Sequence, residues 1–342
     1  MNKAFVFRIY PNKEQRILLA KTFGCVRFIW NQMLSDRKDC YETTGKSLKT
    51  TPAKYKKEYP FLCEVDSLAL ANEQLYLERA YKNFWNGKGK VGVPGFKSRH
   101  NDRSSYTTNY VNGNIEIADS KIKLPKLKWV RIKQHRDIPE DYKLKSCTVS
   151  QDPDGKYYIS VLFTYEKTIT QQKAEKITGL DFSMKELYVD DKGRIPEYPR
   201  FYRKAQEKLA REQRKLSKCE KGSCNRAKQR RTVSKLHKKV SNQRKDFLHK
   251  QSRQITNAYD AVIVENLNMK DMSRALRFGK SVHDNGWGMF ILFLQYKLTE
   301  AGKQLVKVDK WFPSSRTCSV CGKKKEELAL SEQEGLRKLG IA

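Results

Sequence analysis

The spacing of apolar positions changes twice along the chain, and each change marks a different kind of element. Residues 4 to 10 alternate as a strand, and after Pro11-Asn12 the residues Ile17, Leu18, Phe23, Val26 and Trp30 recur at helical spacing. A second helix is predicted from Leu68 to Trp85, with Leu68, Ala71, Leu75, Ala80 and Phe84 on its inward face. Between the two helices, Lys46 to Tyr59 reads as a polar, lysine-rich loop with a short helix. Asn86 to Arg99 reads as a glycine and lysine hinge, too flexible to be core. Beyond it the period falls to two, in short segments at 115–117, 121–124, 129–132, 144–150 and 157–165. Asn112-Gly113-Asn114 and Asp152-Pro153-Asp154-Gly155 supply turns among them. This pattern predicts an antiparallel barrel (residues 1–10 and 96–165) with a helical lobe (11–95) inserted after its first strand.

The second half alternates strands with helices. A polar linker at 166–176 leads into a strand at 177 whose apolar run ends in Asp181, and a second strand starts near 186. Two long helices are predicted over 200–257, joined near Cys219 to Cys224, with Leu236, Val240, Phe247 and Ile255 turned inward. A strand from Ala261 then ends in Glu265. After a loop from Met269 to Asp284, a helix from Trp287 to Ala301 points Phe290, Phe293 and Leu294 inward, and a last strand follows at 305–309. Such an order predicts an α/β sheet domain over 177–310.

Asp181 and Glu265 are poor core residues at the ends of buried-type strands. Carboxylates there are well placed to hold a hard divalent cation, which needs oxygen ligands from distant chain segments. Two strands each delivering one acid is the beginning of an RNase H-like nuclease site, although either acid alone would also serve to cap the element that follows.

Charge adds a partner. Lys and Arg number 70 against 38 acidic residues, a formal net charge of +32. Residues 200–253 hold 20 of those cations and only Glu207, Glu212, Glu220 and Asp246, so half of the net charge lies on the two predicted helices. A run so poor in acid does not neutralise itself, and a phosphate backbone is the natural counter-charge. The expected backbone contacts are Arg211, Arg214, Lys215, Arg230, Arg231, Lys235, Lys238, Lys239, Arg244 and Lys245. No segment has the pattern of a signal peptide or a membrane span, so a cytoplasmic protein with reduced thiols is expected.

Several stretches are similar to the TnpB proteins of insertion sequences, which are RNA-guided DNA endonucleases related to type V CRISPR effectors. They are Gly179-Leu180-Asp181-Phe182, Lys215-Leu216-Ser217, Ser241 to Asp246, Val264-Glu265-Asn266-Leu267-Asn268-Met269, Asp284-Asn285-Gly286-Trp287-Gly288 and Lys310 to Gly322. The resemblance spans essentially the whole chain. It implies an α+β multidomain fold: a wedge-type β-barrel with an inserted helical recognition lobe, then a RuvC domain of RNase H type with a zinc-ribbon insertion. It also implies that Asp181 and Glu265 are two of three catalytic carboxylates.

The chain departs from the family after Cys318-x-x-Cys321. From Leu328-Ala329-Leu330-Ser331 it runs through Glu332-Gln333 straight into Glu334 to Gly340, which resembles the family's final tail. A second Cys-x-x-Cys and the segment bearing the third catalytic Asp would lie between. Residues 311–331 are therefore expected to be a zinc-ribbon remnant and 332–342 a tail. A structural zinc site takes four ligands, so the half-site Cys318 and Cys321 is expected to hold no stable zinc. Two carboxylates are also expected to be too few for two-metal cleavage, with Mg²⁺ able to bind but not to catalyse.

These readings converge on a nuclease-inactive, RNA-guided binder of double-stranded DNA that represses transcription by competing with RNA polymerase at a promoter. A working transposon nuclease is the alternative. The expected partners are one guide RNA per monomer and a target duplex carrying a short flanking motif. Gln74, Asn83, Tyr106, Thr107 and Thr108 are the expected readers of that motif, because Gln and Asn can pair bidentately with adenine.

Overall fold

The computed structural model describes residues 1–87, 89–99, 104–269, 271–272 and 284–309. It divides into two compact units, Met1–Lys167 and Thr168–Ala342.

The first unit is built on strand β1 (Asn2–Tyr10), which buries Phe5, Phe7 and Ile9 on one face. Helix α1 (Lys13–Thr44) starts at Asn12 because side chain and backbone satisfy each other there. Asn12 Oδ1 accepts from Gln15 N at 2.8 Å, and Gln15 Oε1 accepts from Asn12 N at 3.0 Å. Helices α2 (Pro52–Glu58) and α3 (Ser67–Asn86) complete the helical part, with Asp66 capping α3 by accepting from Leu68 N.

Six more strands join β1: β2 (Ser104–Asn109), β3 (Glu116–Ala118), β4 (Lys121–Leu124), β5 (Lys128–Lys133), β6 (Lys143–Gln151) and β7 (Tyr157–Thr164). Their order is β2-β6-β7-β1-β5-β4-β3, and neighbouring strands among the described residues pair antiparallel. A register shift at Leu144/Ser146 bends β6 against β7, as a bulge does. The sheet is a curled half-barrel rather than the closed barrel that the turn spacing predicts, because β2 and β3 stand at its two ends.

Two local expectations in this unit are corrected. The inward face of α3 is rotated: Ala69, Leu70, Asn72, Glu73, Leu77 and Tyr81 are buried, while Ala71 and Leu75 face water. Polar Asn72 and Glu73 go inward because each finds partners there. Asn72 Nδ2 donates to Leu68 O and Thr107 O, and Glu73 pairs with Lys97. The expected hinge is also tied down at its far end. Trp30 Nε1 donates to Gly95 O at 3.0 Å, Asn31 exchanges two hydrogen bonds with the Lys97 backbone, and the Lys97 ammonium lies 4.2 Å from the Trp30 ring centre.

The second unit contains a four-stranded sheet in the order β11-β10-β8-β9. Strands β8 (Ile177–Ser183), β10 (Ala261–Glu265) and β11 (Gln304–Val308) are mutually parallel, and β9 (Leu187–Asp190) is an antiparallel edge. Long helices α4 (Phe201–Lys218) and α5 (Cys224–Ala258) precede β10, and α6 (Trp287–Glu300) precedes β11. The unit's core joins Leu180, Val262 and Val264 of the sheet to Leu248 and Ile255 of α5 and to Phe290, Leu294 and Leu298 of α6. Each such buried side chain contributes about 1.5–3 kcal/mol, so the long α5 is held by its last third more than by its charged middle. The predicted inward positions Phe290 and Leu294 are fully buried, whereas Phe293 is half-buried and stacks on His249 at 3.8 Å. No described helix is long and apolar enough to cross a membrane.

Candidate carboxylate pair and basic hairpin

The two acids lie on adjacent strands: Glu265 ends β10 as expected, whereas β8 runs two residues past Asp181, which stands opposite Val189 of β9. In the parallel pairing of β8 with β10, Val264 stands opposite Leu180, and one further step of the same register sets Glu265 beside Asp181. Adjacent strands run about 4.8 Å apart, and paired residues project to the same face, so both carboxylates leave the sheet at one edge point. Asp181 is exposed and Glu265 half-buried. The buried lead-in residues Leu180, Val262 and Val264 fix this position, since a one-residue slip would turn the apolar side chains out. Two oxygen donors side by side suit one hard cation as part of its ligand shell. Asp181 and Glu265 would hold it, and it would supply Lewis-acid polarisation of a phosphate.

A second layer supports this edge. Asn285 Nδ2 donates to Ser183 O at 2.7 Å, gripping β8 two residues beyond Asp181. Its neighbour Asp284 is buried, its carboxylate accepts from Tyr202 N at 3.1 Å and from Arg244 Nη2 at 3.3 Å, and its backbone carbonyl accepts a hydrogen bond from the Tyr198 hydroxyl. Burial pushes the Tyr198 phenol up to about 12, so it remains a donor. Gly286 follows at φ +75°, where an added Cβ would lie 3.1 Å from both Arg244 Cδ and Leu248 Cδ1. The Asp284-Asn285-Gly286-Trp287 stretch is thus a clamp joining α4, α5, α6 and the end of β8. The sequence alone assigns this stretch no role. Its signal is a run of Asp, Asn and Gly directly before an apolar helix.

The basic helices form a hairpin closed by one of their few acids. Glu212 on α4 is buried and accepts from Gln229 Nε2 of α5 at 2.8 Å and from Lys215 Nζ at 3.0 Å. Gln229 also donates to Glu212 O at 3.0 Å, and Arg226 donates to Leu216 O and Cys219 O. Hydrogen bonding from Gln229, then from Lys215, holds the Glu212 carboxyl below its usual range. Spending that acid inside the hairpin leaves the outer faces more uniformly basic. Of the ten expected backbone contacts, Arg211, Arg214, Lys215, Arg230, Arg231, Lys235, Lys239 and Lys245 are exposed and Lys238 is half-buried. Arg244 is half-buried and engaged with Asp284, so it acts within the clamp. The inward residues along α5 are Val233, Val240, Leu248, Ser252, Ile255 and Thr256.

The expected motif readers separate into two groups. Asn83 is exposed and Gln74 half-exposed on α3, where both can meet a ligand. Tyr106 and Thr108 are removed from the surface: both lie on the inward face of β2, with Tyr106 packed on Phe23 at 5.9 Å. Thr107 points the other way, half-buried, and bonds to Thr148 Oγ1 at 2.8 Å. Cys318 and Cys321 lie outside the described residues.

Comparison with known proteins places these features. Residues 160–276, which include both acids and the hairpin, match the IS605 OrfB family, described as "Probable transposase". Residues 1–46 match a family described as "Helix-turn-helix domain", and here they form β1 and the single continuous helix α1. Residues 287–338 match the "Cas12f1-like, TNB domain". A Streptomyces pristinaespiralis protein named "Putative RNA-guided DNA endonuclease" is 32% identical over 347 residues, covering 98% of this chain and 84% of that protein. InsQ of Escherichia coli K12, named in the same terms, is 29% identical over 355 residues, covering 97% and 86%. The structure of Cas12f1 in complex with sgRNA and target DNA superposes with a TM-score of 0.61 at 13% identity, covering 98% of this chain and 94% of that one, a likeness of fold. With a 32% identical relative aligned along nearly its whole length, and the IS605 OrfB pattern running through the strands that carry Asp181 and Glu265, the chain belongs to the TnpB family of transposon-related proteins.

Proposed function

We propose that this chain is an RNA-guided, sequence-specific binder of double-stranded DNA that does not cut its target and silences a promoter by occupying it. The observation that carries the reading is the contrast between a retained basic hairpin and a reduced acid set. Eight of the ten expected phosphate contacts are exposed, whereas the stretch between Cys321 and the tail-like run from Glu334 holds no aspartate. Cleavage between two metal ions requires carboxylates that hold both ions about 4 Å apart, and the side-by-side pair Asp181 and Glu265 supplies ligands suited to one. Binding has no such requirement. Guide pairing is a near-balanced strand exchange, tipped by backbone contacts and by protein recognition of a short flank.

Relatives named for RNA-guided endonuclease activity, and the guide RNA and target DNA in the Cas12f1 complex, support the choice of partners. The basic hairpin would track the phosphates of the guide, while Asn83 and Gln74 face the flank of the target. Mg²⁺ bound at the pair would screen the two acids from DNA without cutting it. The test is to sequence the RNA that copurifies with the chain, then to place its match in a reporter promoter and measure footprint and expression together. Repression that survives Asp181→Ala and Glu265→Ala supports the reading. Absence of a specific RNA, or repression lost with either acid, contradicts it.

A further inference from the structure

Two aromatic side chains in the helical lobe are held firmly from behind and left open in front. Trp85, at the end of α3, is 56% exposed, and Phe96, in the strap after it, is 57% exposed. Each has a cation at its ring, and the two cations are consecutive residues of α1. The Arg37 guanidinium carbon lies 5.4 Å from the Trp85 ring centre, and Lys38 Nζ lies 4.8 Å from the Phe96 ring centre. Arg37 is itself immobilised. It is buried, bonds to Glu78 at 3.0 Å and Ser47 at 3.0 Å, and stacks on Tyr81 at 3.9 Å. Tyr81 in turn packs on Trp85 at 5.5 Å. Phe96 sits between Gly95, whose carbonyl accepts from Trp30, and Lys97, whose backbone is held at both N and O by Asn31.

Exposed rings cost hydration, and scattered single ones need no explanation. These two differ in each being backed by a cation of α1, and in standing within a segment that holds four cations and no acid from Trp85 to Arg99. Phosphate is the counter-charge such a segment favours, and a ring fixed on one side with its other face open suits a planar base. A pre-positioned ring loses little conformational freedom on binding. An acidic or apolar protein surface would satisfy the cations or the rings, whereas a nucleotide chain satisfies both at their natural alternation. Bases inside a duplex are already stacked on one another, so the occupant is an unpaired strand.

We propose that Trp85 and Phe96 form a stacking platform for unpaired nucleobases, supplied either by a single-stranded part of the guide RNA or by the DNA strand that guide pairing displaces. This deepens the nucleic-acid reading above and rests on it, but its failure is separable. Absence of a specific copurifying RNA would sink the guided reading and leave the following assay intact. The full chain is titrated against labelled oligo(dT), oligo(rU) and a random duplex by fluorescence anisotropy, using wild type, Trp85→Ala, Phe96→Ala, the double variant and Trp85→Phe. Circular dichroism confirms that each is folded.

The double alanine variant is expected to bind single strands about tenfold more weakly or worse, with duplex affinity unchanged within about twofold. Trp85→Phe, which keeps a ring, should retain most of the affinity. A loss confined to oligo(dT) assigns the platform to the displaced strand, and one confined to oligo(rU) assigns it to the RNA. Unchanged single-strand affinity in the folded double variant, or an equal loss for duplex, would overturn the proposal.

Discussion

The two sheets of this protein use carboxylates in opposite ways. In the first unit, buried acids have partners that fix the backbone: Asp66 caps α3, and Glu73 meets Lys97 beneath the strap. Burial pushes the Glu73 carboxyl upward, and the ammonium opposes that shift without cancelling it. In the second unit, Asp181 and Glu265 lie on neighbouring parallel strands, where the register sets the two carboxylates side by side and suits them to share a cation. Acids that stabilise are dispersed, Asp66 taking a backbone N–H and Glu73 an ammonium. The pair on β8 and β10 is instead placed side by side by the strand register.

The largest effect that would sharpen this contrast lies on the hairpin. Reversing Arg230, Arg231, Lys235 and Lys239 to Glu should weaken nucleic-acid binding by about a hundredfold or more near physiological salt. The slope of log affinity against log salt should fall by about 3, measured by filter binding. The same number of reversals on exposed lysines of the half-barrel, such as Lys121, Lys123, Lys128 and Lys133, should cost far less. Equal losses would erase the distinction between the units.

The clamp behind the carboxylates comes next. Gly286→Ala forces a left-handed backbone on alanine and presses Cβ against Arg244 and Leu248, so it should destabilise the second unit by about 2 kcal/mol in chemical denaturation. Asn83→Ala is expected to cost about 1 kcal/mol at one base pair of the flanking motif, while Tyr106→Phe leaves the motif preference unchanged, both read by binding selection.

The smallest effect is a pH slope. Lys297 is buried on α6, donates to His249 O at 2.7 Å and Ser252 Oγ at 2.6 Å, and is pushed by burial from its ordinary 10.5 to about 8. Between those values the unfolded chain binds a proton that the folded chain does not. Stability therefore gains a rising contribution from about pH 8 to pH 10.5. Lys297→Met should flatten that slope in denaturation curves taken across the range.

Legibility in the sequence followed how local each cause was. The strands carrying Asp181 and Glu265 could be read because each is a short, mostly apolar run in which a late acid stands out. The start of α1 was equally readable from the Pro11-Asn12 step, while the return bond from Gln15 came only with the structure. The face of α3 was not, because Asn72 and Glu73 turn inward toward Thr107 and Lys97, partners 35 and 24 residues away. Residues 94–97 looked like a hinge for the same reason, since Trp30 and Asn31 pin them from about 65 residues upstream. Alternation alone could have removed Tyr106 and Thr108 from the motif readers, since residues two apart in a strand share a face. The clamp role of Asp284 and Asn285 depends on Tyr198, Arg244 and Ser183 converging from three other elements, which no local pattern announces.

The central claim, that binding persists where cleavage has been lost, is tested most directly by incubating the RNA-bound chain with guide-matched supercoiled DNA in Mg²⁺ or Mn²⁺. Nicked and linear products are followed beside a footprint of the same samples. The account predicts a guide-dependent footprint with no product above the unmatched control, and the same footprint in Asp181→Ala. Guide-dependent linear DNA that disappears with Asp181→Ala would contradict it and make the chain a working nuclease.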